Sequence, residues 1–193
     1  AYFQAGMFFS LKGDSKKTIE NLEKVSLEQL NSEEKADALF ALAYSYLLEK
    51  EYDKSREKFE KVEYMGSDYK YASSYYLGYI YFKIRAYEKS ITALERASQN
   101  EIYASVVPFI IINIYYHQQN FDEVVKRGTQ IIKSKQKVDS RNEIILLTGV
   151  SFYEKEDYQS ALKYLKPYVA KRKVSPSTEY RIAYAAFSVE DFE

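Results

Sequence analysis

The sequence predicts an all-α fold, an α-solenoid of helical hairpins, from three observations. A small residue recurs about every 34 residues, two amphipathic segments fit within each period, and helix-capping residues fall between the segments. Periods of this length with two helices each are typical of helical-hairpin repeats, in which each hairpin packs only on its neighbours. We therefore expect residues 1–193 to form a single array.

The repeat is anchored on one position in the first helix of each hairpin. Successive occurrences lie 37, 35, 34, 37 and 34 residues apart, and an aromatic residue or its substitute follows nine positions later. Small residues let the two helices of a hairpin approach closely, and large aromatic side chains fill the gap to the next hairpin. The first position holds Gly6, Ala43, Gly78, Ile112, Gly149 and Ala183. The second position holds Ser15, Tyr52, Tyr87, Phe121, Tyr158 and Phe192.

Six repeat units and eleven helices follow from this pattern. Apolar residues recur at intervals of three or four, as Leu39, Leu42 and Tyr46 do, which is the period of an amphipathic helix. The predicted units are 1–31, 36–69, 71–104, 105–138, 142–175 and an incomplete 176–193. The predicted helices are 2–12, 15–29, 33–49, 53–65, 69–84, 88–99, 105–118, 121–135, 141–154, 158–172 and 177–189.

Capping residues predict where several of these helices begin and end. Asn31 with Glu34, and Ser140 with Glu143, have the spacing of a capping box ahead of a first helix. Gly66 follows an amphipathic segment as a C-terminal glycine does. These signals fall where the repeat requires helix boundaries, so local and repeat patterns agree.

The fourth unit departs from the pattern. Ile112 and Val124 stand where the other units have small residues, and Gly128 replaces a large one. Bulky residues at a close contact predict a wider hairpin, and glycine inside a helix costs roughly 1 kcal/mol relative to alanine. We expect a local change of superhelical curvature here, or a more mobile second helix.

Three units share residues at matching positions, and these residues resemble the tetratricopeptide repeat (TPR) family. The second unit has Leu42, Ala43, Tyr46, Tyr52, Ser55, Phe59 and Val62. The third has Leu77, Gly78, Tyr81, Tyr87, Ser90, Leu94 and Ala97, and the fifth has Thr148, Gly149, Phe152, Tyr158, Ala161, Leu165 and Tyr168. The resemblance implies a right-handed solenoid whose concave groove, lined mainly by first helices, binds a protein or peptide without catalysis.

A narrower likeness concerns residues 107–149. This stretch resembles long multi-repeat TPR proteins of Gram-negative bacterial cell envelopes. The likeness implies that the chain is a segment of a larger scaffold protein and that it is envelope-associated or periplasmic. The sequence itself leaves the compartment open.

Aromatic residues dominate the positions that the TPR resemblance assigns to the groove. The predicted groove residues are Phe40, Tyr44, Tyr75, Tyr79, Phe82, Phe109, Asn113, Tyr116, Tyr153 and Tyr184. Aromatic side chains supply contact area, and Asn113 would supply a directional hydrogen bond. The alternative is that part of this stripe is core between repeats. TPR members that hold a carboxylate use lysine at groove positions occupied here by Phe40 and Tyr75, so such a clamp is not expected.

Composition argues against several other functions. The 28 acidic and 28 basic residues give zero net charge, whereas nucleic-acid binding needs a basic face. The chain lacks an apolar run of membrane-spanning length. With no cysteine and His117 as the only histidine, thiolate and two-histidine metal sites are excluded. Glycine-rich phosphate loops and nucleophile elbows are absent too, so we expect neither catalysis nor a cofactor.

Two alternatives to peptide binding remain open. Apolar residues near both ends of the sequence predict a homodimer formed by self-assembly. Flat aromatic faces also suit a glycan or another small ligand. The residues proposed for self-assembly are Tyr2, Phe3, Phe9, Tyr184, Phe187 and Val189.

Overall fold

The computed structural model describes residues 1–134, 136–170 and 172–190. Over these ranges it contains twelve α-helices, one short 3-10 helix and no strand, which confirms the predicted all-α class. The predicted aromatic position Phe192 lies outside the described residues. The helices are α1 (Tyr2–Leu11), α2 (Ser15–Leu22), α3 (Ser32–Leu48), α4 (Tyr52–Tyr64), α5 (Lys70–Lys83), α6 (Tyr87–Ala97), α7 (Glu101–Ala104), α8 (Val107–His117), α9 (Phe121–Lys133), α10 (Arg141–Glu154), α11 (Tyr158–Val169) and α12 (Pro176–Ser188).

The helices group into two compact units. Unit 1 comprises Ala1–Tyr103 and unit 2 comprises Ala104–Glu193. In unit 1 the hairpins are α1/α2, α3/α4 and α5/α6; in unit 2 they are α8/α9 and α10/α11, followed by α12. That these hairpins continue as a single right-handed array stays a prediction.

Glycine at the anchor position permits the close helix contact that the repeat predicts. A Cβ atom added to Gly78 on α5 would lie 2.6 Å from Cγ of Leu94 on α6. One added to Gly149 on α10 would lie 2.7 Å from Leu165 on α11. Real Cβ atoms do not approach other carbons so closely, so a larger residue at either position would force the facing leucine or its helix to shift.

Serine hydroxyls join the helices of two hairpins in unit 1. Ser55 on α4 donates to the carbonyl oxygen of Ala43 on α3 at 2.7 Å, and Ser90 on α6 donates to that of Gly78 on α5 at 2.7 Å. Both serines are fully buried. In unit 2 the same position holds Val124 and Ala161, whose side chains carry no donor. The α8/α9 and α10/α11 hairpins therefore lack this bond and rely on apolar packing.

Gly128 on α9 has a packing role that its sequence position did not indicate. Helix α9 is continuous across it, and an added Cβ would overlap the hydroxyl of Thr148 on α10. The glycine thus allows close contact between one hairpin and the next rather than within a hairpin. The wider hairpin and the change of curvature predicted for this unit stay predictions.

Helix boundaries agree with the predicted caps in part. The Asn31–Glu34 capping box is confirmed, and Gly66 follows α4 with a φ of 65°. The box predicted at Ser140 is wrong: Ser140 adopts a left-handed conformation with a φ of 54°, and its side chain makes no capping bond. The predicted helix 15–29 is also wrong, since α2 ends at Leu22 and a 3-10 helix follows at Leu27–Gln29.

Three tyrosines in unit 1 attach their helices to the preceding segment through carboxylates. The hydroxyl of Tyr46 donates to Glu23, that of Tyr69 donates to Asp37 at 2.8 Å, and that of Tyr81 donates to Glu60 at 2.7 Å. We call these three residues the anchored tyrosines. Their hydroxyls are therefore already hydrogen-bonded within unit 1.

Candidate functional site

A cleft of about 420 Å³ opens in unit 1 between α3, α5 and the first residue of α4. Five of its eight lining side chains are tyrosines. We call it the tyrosine cleft. Its lining residues are Tyr44, Leu47, Leu48, Lys50, Tyr52, Tyr75, Tyr76 and Tyr79.

Helical spacing explains why these side chains meet. Tyr44, Leu47 and Leu48 stand at i, i+3 and i+4 on α3, so they share one face of that helix. Tyr75 and Tyr79 stand at i and i+4 on α5 and share a face in the same way. Because α3 and α5 are both first helices of their hairpins, the two faces lie side by side.

Stacked rings form the support beneath the cleft. The ring of Tyr76 stacks on Phe59 at 5.2 Å between centroids and meets Tyr44 edge-on at 5.3 Å. The predicted site residue Phe40 does not line the cleft. Its ring stacks on Tyr69 at 4.4 Å between centroids, and it packs against the buried core that includes Phe59. The structure therefore places Phe40 in the support of the cleft, as the core alternative anticipated for part of the stripe.

The cleft tyrosines differ from the anchored tyrosines in their hydroxyls. Within the described part of the chain, the hydroxyls of Tyr44, Tyr75, Tyr76 and Tyr79 form no hydrogen bond. Burial raises the pKa of Tyr76 to about 12, with neighbouring tyrosines adding to the effect, so its hydroxyl stays protonated at neutral pH. The cleft thus combines apolar ring faces with hydroxyl groups that can donate to or accept from a bound molecule.

Positive charge lies at the edge of the cleft. Lys50 occupies the turn between α3 and α4 with a φ of 63°, and its ammonium makes no ion pair within residues 1–134, 136–170 and 172–190. The ammonium of Lys83 lies 5.1 Å from the ring centroid of Tyr79. Neither cation is neutralised by a carboxylate that lines the cleft.

The predicted residues of α8 lie in unit 2. Phe109 and Tyr116 pack against a buried cluster of Ile112, Val124 and Ile144. Tyr116 also lines a cavity of about 370 Å³ together with His117, Gln119, Phe121 and Glu154. The side-chain amide of the half-buried Asn113 forms no hydrogen bond among the described residues, so it is available as the sequence reading required.

The predicted residues Tyr153 and Tyr184 belong to a group of rings that contact one another. Tyr184 on α12 lies 6.0 Å from Tyr153 on α10 and 5.7 Å from Tyr158 on α11. Tyr180 joins them at 6.1 Å from Tyr184. We call these four residues the tyrosine cluster. Arg181 covers one side: it lies 5.8 Å from the Tyr153 ring and pairs with Glu154 at 3.0 Å.

The sequence reading overlapped the cleft only in part. It proposed Tyr44, Tyr75 and Tyr79, which the structure brings together in the cleft, and Phe82, which lies near Tyr87 at 6.0 Å and does not line it. It did not assign Tyr76 or Lys50 to the groove. Tyr76 follows a predicted groove residue directly, and Lys50 belongs to a turn, so neither lies on the helical stripe from which the groove was predicted.

The described residues contain neither a candidate metal site nor a helix able to span a membrane. Among the residues that the structure describes, no group of three or more His, Cys, Asp or Glu side chains could hold a metal ion. No helix in the described ranges combines the length and apolar character that crossing a bilayer requires.

Comparison with known proteins identifies the type of repeat. Residues 37–64, which run from α3 to the end of α4, match the tetratricopeptide repeat model TPR_6. No curated protein sequence shows significant similarity to the chain. The family match and the similar solved structures are all TPR proteins, so the resemblance seen in the sequence is confirmed.

Three solved structures illustrate the likeness. MamA (AMB-1) has a TM-score of 0.67 at 16% identity, covering 93% of this chain and 94% of MamA. YrrB, described as a TPR protein with an unusual peptide-binding site, has a TM-score of 0.66 at 18% identity, covering 98% and 90%. PilF of Pseudomonas aeruginosa has a TM-score of 0.61 at 20% identity, covering 98% and 83%. At these identities the likeness shows a shared fold.

Proposed function

We propose that this chain, which has the fold of TPR proteins, is a non-catalytic module that binds a segment of another protein in the tyrosine cleft. The observation that carries the proposal is the cleft itself, where tyrosine rings line a groove and their hydroxyls have no partner in the described structure. Tyrosine is enriched among the residues that dominate binding energy at interfaces. Its ring buries apolar area while its hydroxyl orients the ligand.

The geometry suits a short peptide segment. A cavity of about 420 Å³ has room for one or two side chains, and the rows on α3 and α5 extend contact along both helices. A bound segment would place apolar side chains against Tyr44, Leu47 and Tyr79. Its backbone carbonyl groups could then accept hydrogen bonds from the tyrosine hydroxyls.

Other TPR proteins support the general role. YrrB is described as having a peptide-binding site, and it shares the fold over 98% of this chain. That description concerns YrrB, and for this chain it favours protein interaction without identifying a partner. Membership in a larger envelope-associated scaffold stays a hypothesis from the sequence.

The predicted residues of unit 2 are proposed as secondary contacts. Phe109, Asn113, Tyr116, Tyr153 and Tyr184 carry aromatic area or an unengaged amide, and Tyr184 is exposed. Within this proposal they would add to binding but would not replace the cleft.

The test is a selection from a random twelve-residue phage-displayed peptide library. The immobilised targets are the wild type, a Tyr79→Ser variant and a Tyr64→Ser variant. Tyr79 lines the cleft with 43% of its surface exposed, whereas Tyr64 ends α4 with 88% exposed and lies outside the cleft. We expect Tyr79→Ser to retain about tenfold fewer phage than the wild type, because an aromatic anchor is lost.

Tyr64→Ser controls for the loss of an exposed tyrosine outside the cleft. Tyr64→Ser removes the same side chain from an exposed site and is expected to retain as many phage as the wild type. Circular dichroism melts of all three proteins establish that they are equally folded. Equal recovery by Tyr79→Ser and Tyr64→Ser would contradict the proposal.

Self-assembly is a second candidate, favoured by exposed apolar side chains. Leu11 at the end of α1 is 87% exposed and Phe187 on α12 is 70% exposed. Light scattering over a range of protein concentrations tests it, with a Leu11→Ser/Phe187→Ser variant for comparison. A wild-type dimer that the variant does not form would support homodimerisation, and a monomer at every concentration would contradict it. Glycan binding stays a prediction from the sequence.

A further inference from the structure

We infer that the tyrosine cleft selects an acidic peptide segment, one that carries a carboxylate next to an apolar side chain. The inference rests on the proposed function and specifies the chemistry of the ligand. It follows from the charges around the cleft, from the partners of the neighbouring carboxylates, and from the contrast with the equivalent site in unit 2.

The charged side chain that lines the cleft is a cation. Lys50 has no ion-pair partner in the described structure, and Lys83 lies over the ring of Tyr79. A basic ligand would be repelled by both lysines. A ligand carboxylate placed near Lys50 would supply the counter-charge that the cleft itself lacks.

The acidic residues next to Lys50 are engaged elsewhere. Glu49 accepts a hydrogen bond from the hydroxyl of Ser15, and Glu51 pairs with Lys54 at 2.7 Å. Neither carboxylate lines the cleft. Glu51 is paired with Lys54, whereas Glu49 keeps its charge because Ser15 is neutral. Neither carboxylate forms an ion pair with the ammonium of Lys50, so inside the cleft this ammonium has no counter-charge.

The corresponding turn of unit 2 shows that the repeat does not require a positive charge at the position of Lys50. Counting from the anchor residue of each hairpin, Lys50 corresponds to Glu156, and Leu48 corresponds to Glu154. Both residues have a left-handed φ, 63° at Lys50 and 62° at Glu156. The fold therefore accepts either charge at this turn, and unit 1 carries the positive one.

Aromatic lining and positive charge together define the ligand. Tyrosine rings alone would also suit a cationic group held in an aromatic cage, but the Lys83 ammonium already occupies the neighbourhood of the Tyr79 ring. An acidic segment with an aliphatic or aromatic side chain satisfies both features. Its apolar group contacts Tyr44, Leu47 and Tyr79, and its carboxylate reaches Lys50.

The test extends the phage selection to two charge-reversal variants. Lys50→Glu reverses the charge at the cleft, and Glu156→Lys makes the opposite change at the equivalent turn of unit 2. Each variant places a side chain that the other turn already holds in the same backbone conformation, so both are expected to fold. Peptides recovered by the wild type and by each variant are sequenced, and the best wild-type peptide is measured by fluorescence polarisation.

The expected result is a preference that depends on Lys50 alone. The wild type and Glu156→Lys enrich Asp and Glu beside apolar residues by about twofold or more over the unselected library, and Lys50→Glu does not. For the best wild-type peptide, Lys50→Glu weakens binding by about fivefold to tenfold, and Glu156→Lys changes it by less than about twofold.

Two results would overturn the inference while leaving the proposed function intact. One is a set of peptides that depends on Tyr79 but has no acidic preference or a basic one. The other is an acidic preference that Lys50→Glu retains in full. If no peptide is recovered above the level of Tyr79→Ser, the proposed function and the inference both fail.

Discussion

The equivalent positions of unit 1 and unit 2 give an open cleft in one and a packed group of rings in the other. Counting from the anchor residue, Leu47 on α3 corresponds to Tyr153 on α10, and Tyr79 corresponds to Tyr184. In unit 2 the additional ring of Tyr153 reaches Tyr184 at 6.0 Å. In unit 1 the shorter side chain of Leu47 leaves this space open as part of the tyrosine cleft.

The difference shows how one repeat can carry separate surfaces. Its buried positions are restricted by contacts within and between hairpins, as at Gly78 and Gly149. Positions on the first-helix face and its turn vary more: Leu47, Leu48 and Lys50 in unit 1 correspond to Tyr153, Glu154 and Glu156 in unit 2. The residues that the repeat leaves free therefore give the two units different surfaces.

The largest expected effect is on stability, at a contact present in unit 2. Gly128→Ala should lower the free energy of unfolding by about 2 kcal/mol. The overlap of its Cβ with the Thr148 hydroxyl costs about 3 kcal/mol, and the higher helix propensity of alanine offsets about 1 kcal/mol of this. Adding Thr148→Ala should remove part of this loss. Urea unfolding of the two single variants and the double variant measures the coupling. Strictly additive effects would show that the two residues do not meet as described.

Filling the tyrosine cleft with a ring, as in the tyrosine cluster, should weaken peptide binding. Leu47→Tyr places a ring where Tyr153 stands in unit 2, and it should reduce affinity for a library-selected peptide by about tenfold or more. The melting temperature should stay close to that of the wild type, since Leu47 is only half-buried. The reverse exchange, Tyr153→Leu, affects only a secondary contact and should change affinity by less than about threefold. Unchanged affinity in Leu47→Tyr would show that the peptide does not occupy this space.

Anchored and cleft tyrosines on the same helix should respond differently to loss of the hydroxyl. Tyr81→Phe removes the 2.7 Å hydrogen bond to Glu60 and should cost about 1 kcal/mol of stability. Tyr79→Phe removes a hydroxyl without a partner in the described structure and should change stability by less than about 0.5 kcal/mol. Thermal unfolding of both variants measures this contrast, and equal losses would contradict it.

Alkaline pH should weaken the fold gradually, with the smallest effect of this series. The pKa of Tyr69 is raised to about 12 by its hydrogen bond to Asp37 and by burial. The pKa of Tyr81 is raised to about 12 by burial and by its hydrogen bond to Glu60. The unfolded chain, with a tyrosine pKa near 10, releases these protons first. Stability should therefore be retained below about pH 10 and fall as pH rises towards about 12.

A Tyr69→Phe/Tyr81→Phe variant provides the control for the pH effect. Its lower stability should show a shallower decline above about pH 10 than the wild type, because two of the groups that take up protons on folding are absent. Denaturant midpoints measured across this range provide the comparison. Parallel declines would show that other groups, such as lysines, account for the alkaline loss.

Local signals allowed most of the fold to be predicted. The Asn31–Glu34 capping box and the glycine after α4 are properties of a few adjacent residues, and both appear as expected. The capping box predicted at Ser140 is absent because the backbone of Ser140 is left-handed, which residue spacing does not reveal. The role of Gly128 depends on contact with α10, a neighbour that no local pattern identifies.

The candidate site could be predicted only in part for a similar reason. Helical spacing placed Tyr75 and Tyr79 on one face, but whether a face is open depends on the size of residues across the gap, such as Leu47. The direction of a turn residue such as Lys50 depends on a left-handed backbone that periodicity does not report. The exact set of residues in a cleft is thus a property of packed helices, and the sequence pattern supplies only candidates.

Peptide binding in the open cleft of unit 1 is the proposal on which the other binding predictions depend. The most direct measurement compares the affinity of one library-selected peptide for Tyr79→Ser and for Tyr184→Ser, which alter the same repeat position in the two units. The expected result is that Tyr79→Ser weakens binding by about tenfold or more and that Tyr184→Ser changes it by less than about threefold. Equal losses, or a larger loss in Tyr184→Ser, would contradict it.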